Sequence, residues 1–209
     1  NQRILDFKVN SIPRCKVGIP VRYHDAQNLY SEISPIFLEF HLSYKDISFP
    51  LIKIKDTLKN MPKNLDHTFH APDFYTNDLI FDPFSSDKDI KEKSIYEFKK
   101  FLNHILKVIN LYEYKKTKKV KVVTSFSSAS LEKFISKKEK IRIYEQLEEF
   151  INNTHIKFPK LQILPQTLPV NAWYLGGRRL VNIFADPREI LEFCKSTKFG
   201  ICLDTAHTI

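Results

Sequence analysis

What most constrains this chain is its alternation of short apolar runs with longer amphipathic stretches, roughly 35–50 residues per pair. Residues 36–42 read as a buried strand that carries two polar side chains, Glu39 and His41. Further strands are expected at 66–71, 120–126, 161–164 and 199–203. Between them, residues 87–110 place Ile95, Phe98, Leu102, Ile105 and Ile109 on one helical face, with Ser86 or Asp87 as the cap. A second helix is expected over 138–153, from the spacing of Ile141, Tyr144, Leu147 and Ile151. A third opens at Asp186-Pro187, the aspartate as N-cap and the proline in the first turn. Strand and helix in this order build parallel βα units.

The expected fold class is therefore α/β: a (β/α)8 TIM barrel, incomplete in this chain. Five strands fall short of eight, and such a barrel usually needs about 250 residues against the 209 present. Residues 1–30, with Pro13, Pro20 and scattered charges, read as a linker or lead-in, and 31–209 as the partial barrel. The sequence opens on Asn1 and stops at Ile209 directly after an apolar segment, so the expectation is a piece of something longer.

Composition narrows the function classes. A hydrophobic share of 43% supports a packed core and excludes global disorder. No apolar run approaches the roughly 20 residues of a membrane span, and no signal peptide is recognisable, so no membrane partner is expected. Cys15, Cys194 and Cys202 are odd in number and far apart, which argues against a disulfide scaffold and fits a cytoplasmic setting. The net charge of +9 is mostly lysine, 26 Lys to 7 Arg, so it does not by itself make nucleic acid the expected partner. The cluster Lys115, Lys116, Lys118 and Lys119 reads as a solvated face. Four glycines in all leave no room for a dinucleotide-type loop.

In parallel βα folds chemistry collects at the carboxyl ends of the strands. The polar residues there are Glu39 and His41, then His67 and His70, then Thr124, Ser125 and Ser127, then Gln166, and finally Asp204 and His207. A single strand histidine is more often a hydrogen-bonded core group, and Asp204 can serve as a cap. Recurrence is what counts: four of the five exits carry an imidazole, a carboxylate or a carboxamide. Imidazole with carboxylate suits a divalent ion, and the same groups suit a polar sugar pocket. The loop from Gln166 to Arg179 adds Trp173, Gly176-Gly177, Arg178 and Arg179. A Trp face suits a sugar ring and arginine forks suit a phosphate or carboxylate, although a structural turn with solvated arginines explains the loop equally well.

The segment Gly200-Ile201-Cys202-Leu203-Asp204-Thr205-Ala206-His207 resembles a strand motif of the xylose-isomerase-like TIM barrels. That superfamily holds sugar (phosphate) isomerases and epimerases and the endonuclease IV type of apurinic endonuclease. His70-Ala71-Pro72 is similar to its second-strand histidine motif. A narrower likeness runs from Leu164-Pro165-Gln166-Thr167-Leu168-Pro169 through Trp173, Gly176-Gly177-Arg178-Arg179 and Phe184-Ala185-Asp186-Pro187. It resembles the isomerase-like barrel appended to some bacterial sialic (nonulosonic) acid synthases, which implies a fused synthase domain as partner.

The resemblance implies His70, Asp204 and His207 as ligands of a divalent metal (Zn, Mn or Mg). Glu39, His41 and Gln166 are expected as catalytic positions, and, from the strand exits and the loop, His67, Trp173, Arg178 and Arg179 as contacts to a sugar or sugar phosphate. Gln166 stands where the family usually has a metal-bridging glutamate, which weakens the metal, and Thr124-Ser125 stand where the endonucleases carry a zinc histidine. The function expected is isomerase- or epimerase-like, with metal-assisted proton transfer next to a carbonyl, in nonulosonic acid biosynthesis. The alternatives are a noncatalytic sugar-binding domain of a synthase and, behind both, a DNA-repair endonuclease.

Overall fold

A computed structural model describes residues 18–62, 65–111, 119–172 and 176–207. Trp173, Cys15 and Lys115, Lys116 and Lys118 lie outside the described residues. The chain runs β1 (Gly18–Val21), α1 (Ala26–Ile33), β2 (Phe37–His41), α2 (Tyr44–Ile47), α3 (Leu51–Leu58) and β3 (Asp66–His70). A small antiparallel pair follows, β4 (Phe74–Tyr75) and β5 (Leu79–Ile80), then α4 (Lys88–Leu111) and β6 (Val120–Thr124). The last part holds β7 (Ala129–Ser130), α5 (Lys137–Lys157), β8 (Leu161–Pro165), β9 (Leu180–Val181) and α6 (Pro187–Thr197). Five strands form one parallel sheet in the order β1-β2-β3-β6-β8, each neighbour reached through a crossover. The fold is α/β with a central parallel sheet, which among the described residues has five strands in open order and does not close into a barrel.

Register decides which side chains meet. One row of the sheet reads Val21, Phe40, Phe69, Val122 and Ile163, and all five are buried beneath the helices. On the opposite face the rows read Pro20, Glu39, Thr68, Lys121 and Gln162, then His41, His70, Val123 and Leu164. Successive residues of a strand point to opposite faces, so covering one face with apolar side chains fixes the other as polar. Behind the sheet, Phe81, Phe84, Phe98, Phe126 and Phe150 pack tilted or edge to face with centroids 5.2–6.4 Å apart.

The helix boundaries follow their local chemistry. Asp87 Oδ1 accepts from Asp89 N and Ile90 N at the start of α4, so the aspartate and not Ser86 is the cap. Ser136 Oγ accepts from Glu139 N ahead of α5, and Asp186 Oδ1 accepts from Arg188 N ahead of α6. Lys198 closes α6 in the left-handed conformation.

Two expectations need correction. The sheet begins inside the stretch 1–30 read as lead-in: β1 pairs with β2, and Val21, Tyr23 and Ala26 are buried. The ring of Phe37 lies where a Cβ on Gly18 would sit, so glycine at the start of β1 leaves room for that ring. At the other edge, residues 199–203 do not form the expected strand. They pair with the sheet through one bridge, Gln166 to Cys202, with Cys202 N donating to Pro165 O and Thr167 N to Cys202 O. The physical reason lies in β8. Extending this pairing toward Gly200 needs the amide of residue 165, and proline has none. The next amide on that edge, Ile163 N, donates instead to Nε2 of His155 on α5 at 3.0 Å. Burial and the nearby Lys119 hold the His155 imidazole below its usual pKa, in the neutral form that accepts.

A second histidine is buried on α4. The Tyr23 hydroxyl, whose pKa burial pushes up, donates to Nε2 of His104 at 3.0 Å. Burial first, and Lys107 second, bring His104 down from 6.5 to about 4. A histidine with a depressed folded pKa favours the fold above its unfolded value, and that contribution drains away as pH falls from about 6.5 to about 4. Urea denaturation across that range is expected to lose ~3 kcal/mol to this group, and His104→Gln is expected to flatten the slope. At the sheet edge, His155→Leu leaves Ile163 N without its acceptor and is expected to cost about 1–2 kcal/mol by the same assay.

Candidate functional site

The polar residues gather where the strands end. β2 sends Glu39 and His41 to the face opposite the phenylalanine row, and His41 Nδ1 lies 3.5 Å from Glu39 Oε1. β3 places His70 in register beside His41, and the two rings stack at 4.2 Å and 14°. His70 is buried, while His41 keeps one side open. Nδ1 of His70 donates to the Ala71 carbonyl at 2.8 Å, and its Nε2 lies 2.9 Å from Gln166 Oε1. Gln166 Nε2 in turn donates to Asp204 Oδ2 at 3.2 Å. The chain of contacts ends at His207, whose Nδ1 donates to the Thr167 carbonyl at 2.9 Å and lies 3.4 Å from Asp204 Oδ2.

Three backbone links hold these segments together. Gln166 N donates to Thr124 O, Ala71 N to Val123 O, and Asp204 N to the Thr167 hydroxyl. The same hydroxyl donates to Asp204 O at 3.2 Å, so Thr167 pins the segment after Cys202 to the end of β8.

Gln166 is the link in this chain. Its amide nitrogen turns to Asp204, and its oxygen faces the His70 ring. Glu39, beside the two stacked rings, has its carboxyl held below its usual range. The hydrogen bond from His41 is the largest cause, and the charges of His70 and His41 add to it against the opposing effect of burial.

Not every expected residue belongs to this group. His67 is three positions from His70, so it faces the helices. It packs edge-on against Phe40 and Phe69, beside Leu58, Met61 and Val108, and Nδ1 lies 3.2 Å from Leu65 O. It sits in the core, on the face away from the cluster. Arg178 is exposed and Arg179 half-buried, and neither bonds to a member of the cluster. Arg179 instead lowers the carboxyl of Asp82, which burial raises more strongly. Gly176 and Gly177, at φ +75° and +67°, turn the loop that carries both arginines.

Thr167 and Cys202 were missed by the sequence reading. The signal for Thr167 was its place directly after Gln166, where a strand exit turns. The Cys202 thiol is pushed up to about 11 by burial and then by Glu39 and Asp204, so it is no thiolate nucleophile.

The donor set does not fit a resident divalent ion. Nε2 of His70 is engaged by the Gln166 oxygen, and Asp204 Oδ2 by the Gln166 amide nitrogen. Among the described residues no three His, Cys, Asp or Glu side chains converge on one point. No family model matches the chain, and no curated protein matches it. Among the described residues, no helix is long and apolar enough to cross a membrane.

Gln166→Leu unbridges His70 from Asp204 and is expected to lower stability by about 1–3 kcal/mol in urea denaturation. Gln166→Glu puts an anionic ligand between them. Dialysis against zinc followed by elemental analysis is expected to give a stoichiometric ion in that variant alone.

Proposed function

We propose that the carboxyl-end face of the sheet binds a sugar or sugar phosphate and acts on it as an isomerase- or epimerase-type site, without a resident metal. The observation that carries this reading is the meeting of Glu39, His41, His70, Gln166, Asp204 and His207 from separate stretches of chain. Alternating imidazole, carboxylate and carboxamide groups match the alternating donors and acceptors of a polyhydroxylated ligand. The likeness of the 200–207 and 70–72 motifs to sugar isomerase barrels supports the same class, and that of 164–187 supports a setting beside a nonulosonic acid synthase.

In this reading His41 is the group that moves a proton. Its ring is half exposed, Glu39 orients Nδ1, and the stacked His70 fixes its plane. Nε2 takes the proton from the carbon next to the substrate carbonyl, leaving an enediolate, and delivers it to the former carbonyl carbon, while the hydroxyl proton of the first carbon passes to the former carbonyl oxygen. Asp204 and His207 hold hydroxyl groups. Gln166 keeps His70 and Asp204 in place and touches no reacting atom.

A second reading, noncatalytic sugar binding, is favoured by Gln166, a neutral carboxamide that cannot serve as a general base. One experiment separates them: sugars and sugar phosphates are titrated by calorimetry in EDTA, and the bound ligand is followed by NMR in D2O. Catalysis is expected to exchange the hydrogen next to the carbonyl, and His41→Gln to lower that exchange by about a hundredfold or more while binding weakens far less. Binding without exchange supports the second reading. No binding across the panel, with the fold intact, overturns both.

A further inference from the structure

A groove of about 360 Å³ runs between α5 and α6, away from the strand ends. Its floor is apolar, made by Ile141, Tyr144 and Phe193, and Ile141 remains 50% exposed. Its rim carries Glu145, Glu148 and Glu192, none of which makes an ion pair with a described residue, together with Lys137 and Lys140. Glu189 receives the Lys140 ammonium at 2.9 Å. With these four carboxylates against two ammonium groups, the groove is net acidic on a chain whose net charge is +9.

The complement lies on the same molecule. The outward stripe of α4 carries Lys93, Tyr96, Lys99 and Lys107 at helical spacing. Tyr96 is 66% exposed, and the three lysines make no ion pair with a described residue. An aromatic ring flanked by ammonium groups suits an apolar groove flanked by carboxylates. The helices α4, α5 and α6 follow one another across the crossovers that flank β6 and β8, so both surfaces lie on the same side of the sheet.

We infer that the occupant of this groove is a second copy of the chain. In a two-fold dimer centred near α5, the α4 stripe of each copy lies in the α5–α6 groove of the other, a contact that closes on itself. Tyr96 fills the apolar floor, and Lys93 and Lys99 meet Glu145 and Glu148. This pairing also overcomes the repulsion that a charge of +9 imposes on two free copies.

Sedimentation equilibrium tests it. The chain is expected to show a concentration-dependent dimer, and Tyr96→Ala to raise its dissociation constant about tenfold. Two charge reversals, Lys93→Glu with Lys99→Glu, and Glu145→Lys with Glu148→Lys, are each expected to give monomers. Every substituted residue is exposed, and circular dichroism checks that each variant is folded. Mixing the two double variants is expected to restore a dimer, because both contacts then become complementary again. A chain that stays monomeric, a dimer that withstands both reversals, or a mixture that fails to pair overturns the inference. Monomers that nevertheless bind a basic amphipathic peptide at Glu145 and Glu148 overturn it in favour of a foreign partner.

Discussion

Burial of one face of the parallel sheet is the constraint from which the remaining features follow. The row Val21, Phe40, Phe69, Val122 and Ile163 seats the helices, and a two-residue period leaves no freedom about what projects the other way. Glu39, His41 and His70 reach the opposite face because their neighbours are needed in the core. A one-residue slip of β2 would bury both polar groups and expose Leu38 and Phe40. The core therefore selects the site, and the stacked imidazoles are a by-product of the same register that packs the phenylalanines.

Gln166 then decides what kind of site this is. A carboxylate at that position would offer an anionic ligand beside the His70 ring. The carboxamide hydrogen-bonds on both sides, joining a buried ring to an aspartate from a different part of the chain. Such a bridge is worth most where water is excluded, since an unmet partner there costs its full desolvation. The site is accordingly organised around hydrogen bonds.

Much of this was legible before any coordinates. The helix starts at Asp87 and Asp186 follow from capping chemistry, and four of the strands follow from apolar runs bounded by polar ones. The cluster members were readable as polar residues at strand exits, because the parallel βα arrangement brings all exits to one side. What failed did so for tertiary reasons or for parity overlooked. His67 sits an odd number of residues from His70, which alone places it on the helix side. The strand expected at 199–203 depends on donors offered by β8, and neither the missing amide of Pro165 nor the capture of Ile163 N by His155 is visible in the apolar run itself. β1 escaped because it is short and contains Pro20, a residue tolerated at a sheet edge. Trp173, the most suggestive single residue of its loop, lies outside the described residues.

The imidazole that seals the edge of β8 has a consequence for the behaviour of the chain in solution. An unpaired strand edge is a template on which another chain can add. Here that template is interrupted by a proline and by a neutral histidine at consecutive donor positions. A proton on His155 turns the acceptor into a donor and frees the Ile163 amide, so mild acid strips the guard from an otherwise apolar strand. Self-adhesion on acidification would then begin at β8 while the sheet is still folded.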